Sequence, residues 1–297
     1  MSLKGVIPPM VTPTTGRSGT VDIDALRTFT EFLVDGGVHG LFPCGSIGEF
    51  SSLTRKQRAT VIETVVNAAA DRPVIAGCGG TAVGDVVGYV EDAATAGADA
   101  AVVVTPYYLK TSDAGMVEFY EAVAAESPLP LVLYNIPQLT KHSLDVGTVV
   151  ELADRDDFIG IKDSSGDIDY INALSRTVPD DFAVLPGVSA LQVAALDGGA
   201  DGAVNGSANF LPSIVSDIYD SYHAGDRERA VRLLNDVVNP ITDAFSNIPI
   251  AAAIKHLVRM QGHDVGPPLP PLPTLSREDR ELLERRYEDA LEASVVR

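Results

Sequence analysis

Lysine is scarce in this chain: six in 297 residues, against 41 acidic residues and a formal charge of −19. That balance repels nucleic acid and anionic lipid at long range, so neither is an expected partner. Cysteine is scarcer still. Cys44 and Cys78 cannot build a disulfide framework and belong to no C-x-x-C pair, so each is expected as a buried, reduced thiol. Five dispersed histidines lack zinc-ligand spacing. There is no run of 18 apolar residues, which argues against a membrane span. The opening MSLKGVIPPMVTP lacks the apolar core and small-residue cleavage site of a signal peptide, so the cytoplasm is the expected location. The carboxylates are scattered over helices and not gathered in a tail. They read as a solvation device for a salt-rich cytoplasm, where screening removes self-repulsion; plain solubility is the alternative.

What is abundant is alternation. At 45% hydrophobic the chain can bury a large core. Short apolar runs are expected as strands at Gly5–Thr12, Val38–Cys44, Pro73–Cys78, Ala100–Thr105, Leu129–Tyr134, Phe158–Lys162, Phe182–Pro186 and Gly202–Gly206. Helical spacing fills segments between them, as at Asp22–Gly36, Thr54–Ala70 and Thr111–Ala125. Eight such units predict an α/β fold, a closed (β/α)₈ barrel, and the continuous apolar strands suit burial on both faces. An open doubly wound sheet competes less well, because no G-x-G-x-x-G follows the first strand. After about Gly225 the strand signals cease. Residues 226–297 are expected as a helical extension, with helices over Arg227–Ala244, Ile248–Met260 and Ser276–Val295, that packs and makes oligomer contacts; residues 1–225 form the barrel with the active site.

In such a barrel the chemistry sits at the C-terminal strand ends. Most of these ends carry glycines or hydroxyls; the sixth carries Lys162, and the fifth carries Tyr134. An amine in an apolar, water-poor site sheds its proton more readily and attacks a ketone to form a Schiff base. A phenol beside it shuttles protons. Glycines in GSIG at 45–48 let backbone N–H groups approach a carboxylate, with Ser46 as an added donor. Imine chemistry on a 2-keto acid is implied. The structural alternative for Lys162 is a pair with Asp163, or snorkelling to solvent.

Five motifs then occur in order: GSIGE (45–49), TPYY (105–108), LYNIP (133–137), GIKDSSGD (160–167) and NGSANFLP (205–212). With them, over essentially its whole length, the chain resembles the dihydrodipicolinate synthase/N-acetylneuraminate lyase family of lysine-dependent aldolases. The resemblance implies Lys162 as the Schiff-base nucleophile and Tyr134 as proton donor and acceptor. It implies Gly45, Ser46 and Ile47 as the holders of the keto-acid carboxylate, and a backbone contact at Val204. Tyr108 matches a residue that some members reach across a dimer to complete a hydroxyl relay through Ser46. It also implies a homotetramer built as a dimer of dimers, and no metal or organic cofactor.

Two positions depart from the family's pattern. Leu139 stands where dihydrodipicolinate synthases usually carry an arginine for the aldehyde's carboxylate, and Ile47 replaces a second Ser or Thr. Without a guanidinium, aspartate semialdehyde loses its bidentate anchor. The expected reaction is therefore cleavage of 2-keto-3-deoxygluconate, or its 6-phosphate, to pyruvate and glyceraldehyde or its phosphate. Candidate contacts to the sugar end are Lys110, Gln138, Ser189, Ser207 and Asn209. The alternatives are dihydrodipicolinate synthase, an N-acetylneuraminate lyase-like enzyme, or a non-catalytic pyruvate-binding protein. Lys255, on a tail helix, is expected as a structural pair or a surface amine.

Overall fold

The computed structural model describes residues 3–295. β1 (Gly5–Val6) pairs in parallel with β9 (Gly202–Ala203), so the first and last strands of the barrel meet. A small antiparallel pair, β2 (Thr14–Thr15) and β3 (Thr20–Val21), follows β1 outside the barrel. β4 (Ile75–Gly77), β5 (Ala100–Val104), β6 (Leu131–Asn135), β7 (Phe158–Asp163) and β8 (Ala183–Pro186) are parallel neighbours in sequence order. Val204 N donates to Pro186 O at 2.8 Å and Asp201 N to Val184 O at 3.0 Å, which joins β8 to β9 and closes the ring.

The expected first two strands are the least regular. Only Gly5–Val6 forms a ladder in the first, and the second consists of single bridges from Phe42 to Pro9 and from Leu41 to Val74. Prolines 8, 9 and 43 lack the N–H a ladder needs, and Cys44 adopts φ 58°, which ends extension at once. The connection is still made: Phe42 N donates to Pro8 O at 3.0 Å and Met10 N to Phe42 O at 2.9 Å.

Helices cover the outside. α1 (Ile23–Asp35) starts where the Asp22 carboxylate accepts from Ala25 N. α2 (Arg55–Ala68) starts on a capping box of Thr54 and Gln57. α3 (Val83–Ala96) stops at Gly97, whose left-handed backbone suits glycine. α4 (Asp113–Ala124), α5 (Pro137–Thr140), α6 (Val146–Ala153), α7 (Ile168–Thr177), α8 (Gln192–Asp197) and α9 (Pro212–His223) follow the later strands. The stretch expected as helical over Arg227–Ala244 is helical throughout, but its winding changes along it. α10 (Arg227–Leu233) runs into a π-turn at Leu234–Val238, then α11 (Asn239–Thr242) and a 3₁₀ stretch at Asp243–Asn247. Pro240 is the physical reason, since its ring removes one donor and crowds the preceding turn. α12 (Ile250–Met260) and α13 (Arg277–Val295) complete the chain. No helix among the described residues is long and apolar enough to cross a membrane.

Side chains alternate across the strands into two apolar cores. Val102, Val104, Val132, Tyr134 and Leu185 face the barrel interior, whereas Ala101, Val103, Leu133 and Ile161 pack outward against the helices. Lys162 follows Ile161, so the two-residue period turns it inward, onto the face of Tyr134.

Candidate active site

Strand register brings the two predicted residues together: Tyr134 on β6 lies opposite Lys162 on β7, and each is only 4% exposed. The Lys162 Nζ stands 4.1 Å from the centroid of the Tyr134 ring and 5.0 Å from that of Phe42. Phe42 meets Tyr134 edge to face at 6.4 Å, so two aromatic rings wall the amine. Gly187, at the end of β8, leaves the remaining space. A Cβ there would collide with Ser164 Oγ and lie 3.2 Å from Lys162 Cε.

Asp163 does not pair with the lysine. Its carboxylate accepts from Asn135 Nδ2 at 2.7 Å, and from Ser165 Oγ at 2.7 Å and Ser165 N at 3.2 Å. Burial raises its pKa above the usual carboxylate range, against the lowering effect of the Ser165 and Asn135 bonds. Neighbouring strand ends are thus braced by Asp163, and Lys162 is absent from the ion pairs among the described residues.

Ser46 joins from the second strand end, with its Oγ 3.3 Å from Tyr134 Oη. Its loop is held in an unusual shape: Cys44 and Glu49, at either end, both have φ 58°. Three contacts fix it. Thr12 Oγ1 donates to Gly48 O at 2.8 Å, Gly45 packs flush against the Phe42 ring, and Glu49 is clamped below. The clamp is a buried ion pair, Lys255 Nζ to Glu49 Oε1 at 2.7 Å, with Leu269 N donating to the other carboxylate oxygen and Lys255 Nζ also donating to Pro267 O at 3.1 Å. Burial lowers the Lys255 pKa and Glu49 opposes that shift. Of the two expected roles, Lys255 takes that of a structural pair and not of a surface amine. Glu49 was visible only as the end of GSIGE; nothing local marks a partner 206 positions away. The two thiols are buried, and desolvation raises the Cys44 pKa to about 12 and shifts Cys78 the same way.

Cavities lie next to this centre and beyond it at the rim. One of about 290 Å³ begins at Ser46 and runs between Phe50, Val104, Tyr107, Ile136 and Leu139, a mostly apolar throat. It adjoins, across Tyr107, Leu139 and Thr140, a rim cavity of about 450 Å³ that also holds Tyr108, Lys110, Lys141 and His142. The third, about 430 Å³, opens on the Gly187 side and is walled by Ile47, Ser189, Ser207, Thr242, Asp243 and Ser246. Ser189 and Ser207 hydroxyls are 3.0 Å apart in it.

The remaining predicted residues scatter. Val204 is buried in the barrel interior, its N–H committed to Pro186 O. Gln138 is exposed and its amide donates to Ser165 O at 2.7 Å. Asn209 is fully buried and braces Val11 N, Pro9 O and Gly206 O. Tyr108 is 94% exposed and, with Lys110, stands at the rim, apart from Lys162.

Comparison with known proteins agrees over the full length. The model of the dihydrodipicolinate synthetase family matches residues 2–290. A DapA-like lyase of Halobacterium salinarum is 37% identical over 290 residues, 97% of this chain and 94% of that one. A 4-hydroxy-tetrahydrodipicolinate synthase of Methanopyrus kandleri is 33% identical over 95% of each. Among solved structures, YagE of E. coli K12, a prophage protein in complex with pyruvate, superposes with a TM-score of 0.93 at 31% identity, covering 97% of this chain and 99% of that one. Barrel, paired lysine and tyrosine, and full-length similarity converge: the chain belongs to the dihydrodipicolinate synthetase family, carbon–carbon lyases of the class I pyruvate aldolase type.

Proposed function

We propose that this lyase cleaves a 2-keto-3-deoxy sugar acid, 2-keto-3-deoxygluconate or its 6-phosphate, to pyruvate and a three-carbon aldehyde. The observation that carries the reading is the Tyr134–Lys162 register with Ser46 Oγ at 3.3 Å from the phenol. Lys162 Nζ adds to the keto carbon and water leaves, giving a protonated imine. The C3–C4 bond breaks, its electron pair passes into the imine to form an enamine, and the aldehyde departs. The Tyr134–Ser46 pair takes the proton lost from the C4 hydroxyl and returns one to C3. Water then hydrolyses the imine and pyruvate leaves.

Backbone groups of Gly45, Ser46 and Ile47 hold the substrate carboxylate, with Val204 at its far side. The Ser189 and Ser207 hydroxyls serve substrate hydroxyls near the imine. Residues 1–225 supply the catalytic barrel, and residues 226–297 brace it. The enzyme works as a homotetramer in a salt-rich cytoplasm, where the exposed Tyr108 of one copy completes the relay of another.

Relatives named as 4-hydroxy-tetrahydrodipicolinate synthases favour a second reading, condensation of pyruvate with aspartate semialdehyde. Against it, the throat presents Leu139, apolar and 64% exposed, where a cation for that aldehyde's carboxylate is wanted. Borohydride reduction in the presence of pyruvate is expected to leave a mass adduct on Lys162, and Lys162→Ala to abolish it. An adduct only elsewhere, or none, sinks the reading. A coupled assay of sugar-acid cleavage against aspartate-semialdehyde condensation separates the two.

A further inference from the structure

Two of the six lysines of a chain with net charge −19 line one cavity, together with a histidine. Lys110 and Lys141 share the rim cavity with His142, the Thr140 side chain and two tyrosines, and its lining contains no carboxylate. We propose that this cavity binds the phosphate of a phosphorylated sugar acid, so that the 6-phospho form is the preferred substrate. This rests on the aldolase reading above and names the member of its substrate class.

The path from the amine outward changes character in order. The throat begins at Ser46, whose hydroxyl is 3.3 Å from the Tyr134 phenol, and is mostly apolar with Glu49 as its one carboxylate; the cations stand in the rim cavity it adjoins across Tyr107, Leu139 and Thr140. A three-carbon aldehyde portion leaving the imine along that throat ends at the rim, where a neutral hydroxymethyl group gains nothing from two ammonium groups and a phosphate gains both. The Gly187-side cavity is the wrong sign for it, since Asp243 lines it and no basic side chain does. The acidic surface as a whole repels a phosphate dianion, so its capture needs a local reversal of sign.

The cluster is also built, not accidental crowding of long side chains. His142 Nε2 meets Leu109 O at 3.0 Å, tying the Lys110 loop to the end of α5. Lys141 sits at φ 62° as the residue closing α5, and its Nζ donates to Gln138 O at 2.8 Å. That bond uses one of the three ammonium donors and leaves two for an anion. Lysine suits the task as a compact point charge, whereas a planar carboxylate is gripped better by a guanidinium fork.

The test compares wild type, Lys110→Gln, Lys141→Gln and the double variant at one fixed ionic strength. Wild type is expected to favour 2-keto-3-deoxy-6-phosphogluconate over the free acid at least about tenfold in kcat/KM, with each substitution raising KM for the phosphorylated substrate about tenfold. The double variant brings the ratio of the two substrates close to one. Glycerol 3-phosphate, titrated by calorimetry so that no turnover is needed, binds wild type and weakens in parallel, whereas glycerol does not bind. Equal losses on both substrates, unchanged glycerol 3-phosphate binding in the double variant, or a larger loss on aspartate semialdehyde overturns the phosphate site. Borohydride labelling of Lys162 in the same preparations reports separately on the aldolase reading.

Discussion

Lys162 is polar in sequence but lies in an apolar site, and its neighbours decide what that means. Asp163, adjacent in the chain, looks like the natural partner, yet Asn135 and Ser165 claim its carboxylate. The amine instead faces the rings of Tyr134 and Phe42. In the proposed mechanism the phenolic oxygen of Tyr134 carries protons, while its ring walls the amine. Tyr134→Phe is therefore expected to lower kcat by about 10²–10⁴ while pyruvate still labels Lys162 on long incubation. A Phe variant within a few-fold of wild-type kcat removes Tyr134 from the proton relay. The sequence made this pair legible, because both residues close apolar runs; it could not reveal Phe42 or Gly187, whose roles exist only once the closed barrel brings the Phe42 segment across the interior from β7 and sets the end of β8 beside it.

Between elements, the Glu49–Lys255 pair couples the Ser46 loop to α12 and to the segment at Pro267–Leu269. Both side chains are almost wholly buried, so removing one partner strands a charge. Lys255→Met is expected to cost about 3–5 kcal/mol in denaturant unfolding, and adding Glu49→Gln to return part of it. Strictly additive losses would mean that the two side chains act independently. Prolines account for the irregular elements. Arg227–Ala244 is helical, as its apolar periodicity suggests, but Pro240 and the π-turn before it change the winding partway along. Prolines 8, 9 and 43 likewise shortened the first expected strand to a two-residue ladder and the second to single bridges, while leaving their positions in the ring unchanged.

For the molecule as a whole, three of the five histidines are disfavoured as cations. Burial lowers the pKa of His39, His256 and His263, and the Asp220 and Glu284 carboxylates beside the first two only partly offset it. With the folded value below the unfolded one, the unfolded chain binds more protons on acidification. The associated stability is complete above the ordinary histidine range of about 6.5 and is lost as pH falls through the folded values. Asp145, Asp197 and Asp217, held low by hydrogen bonds from Thr148, Arg227 and Arg229, act in a separate window below about 3.9. The unfolding midpoint is accordingly expected to fall between pH 7 and 5 at constant salt, with His39→Gln, His256→Gln and His263→Gln each flattening the slope. A midpoint that does not change over that range contradicts the assignment.

Composition and periodicity by themselves determined the alternating units, the barrel, the strand-end position of Lys162 and the closeness of Tyr134, because each depends on local spacing and on strand order around a closed ring. Tertiary structure alone decided which carboxylate Asp163 and Glu49 would offer to whom, and which of the few lysines would gather at the rim. Those outcomes depend on side chains from distant segments arriving at one place, and ring closure sets that arrival, not any property of the segments taken singly.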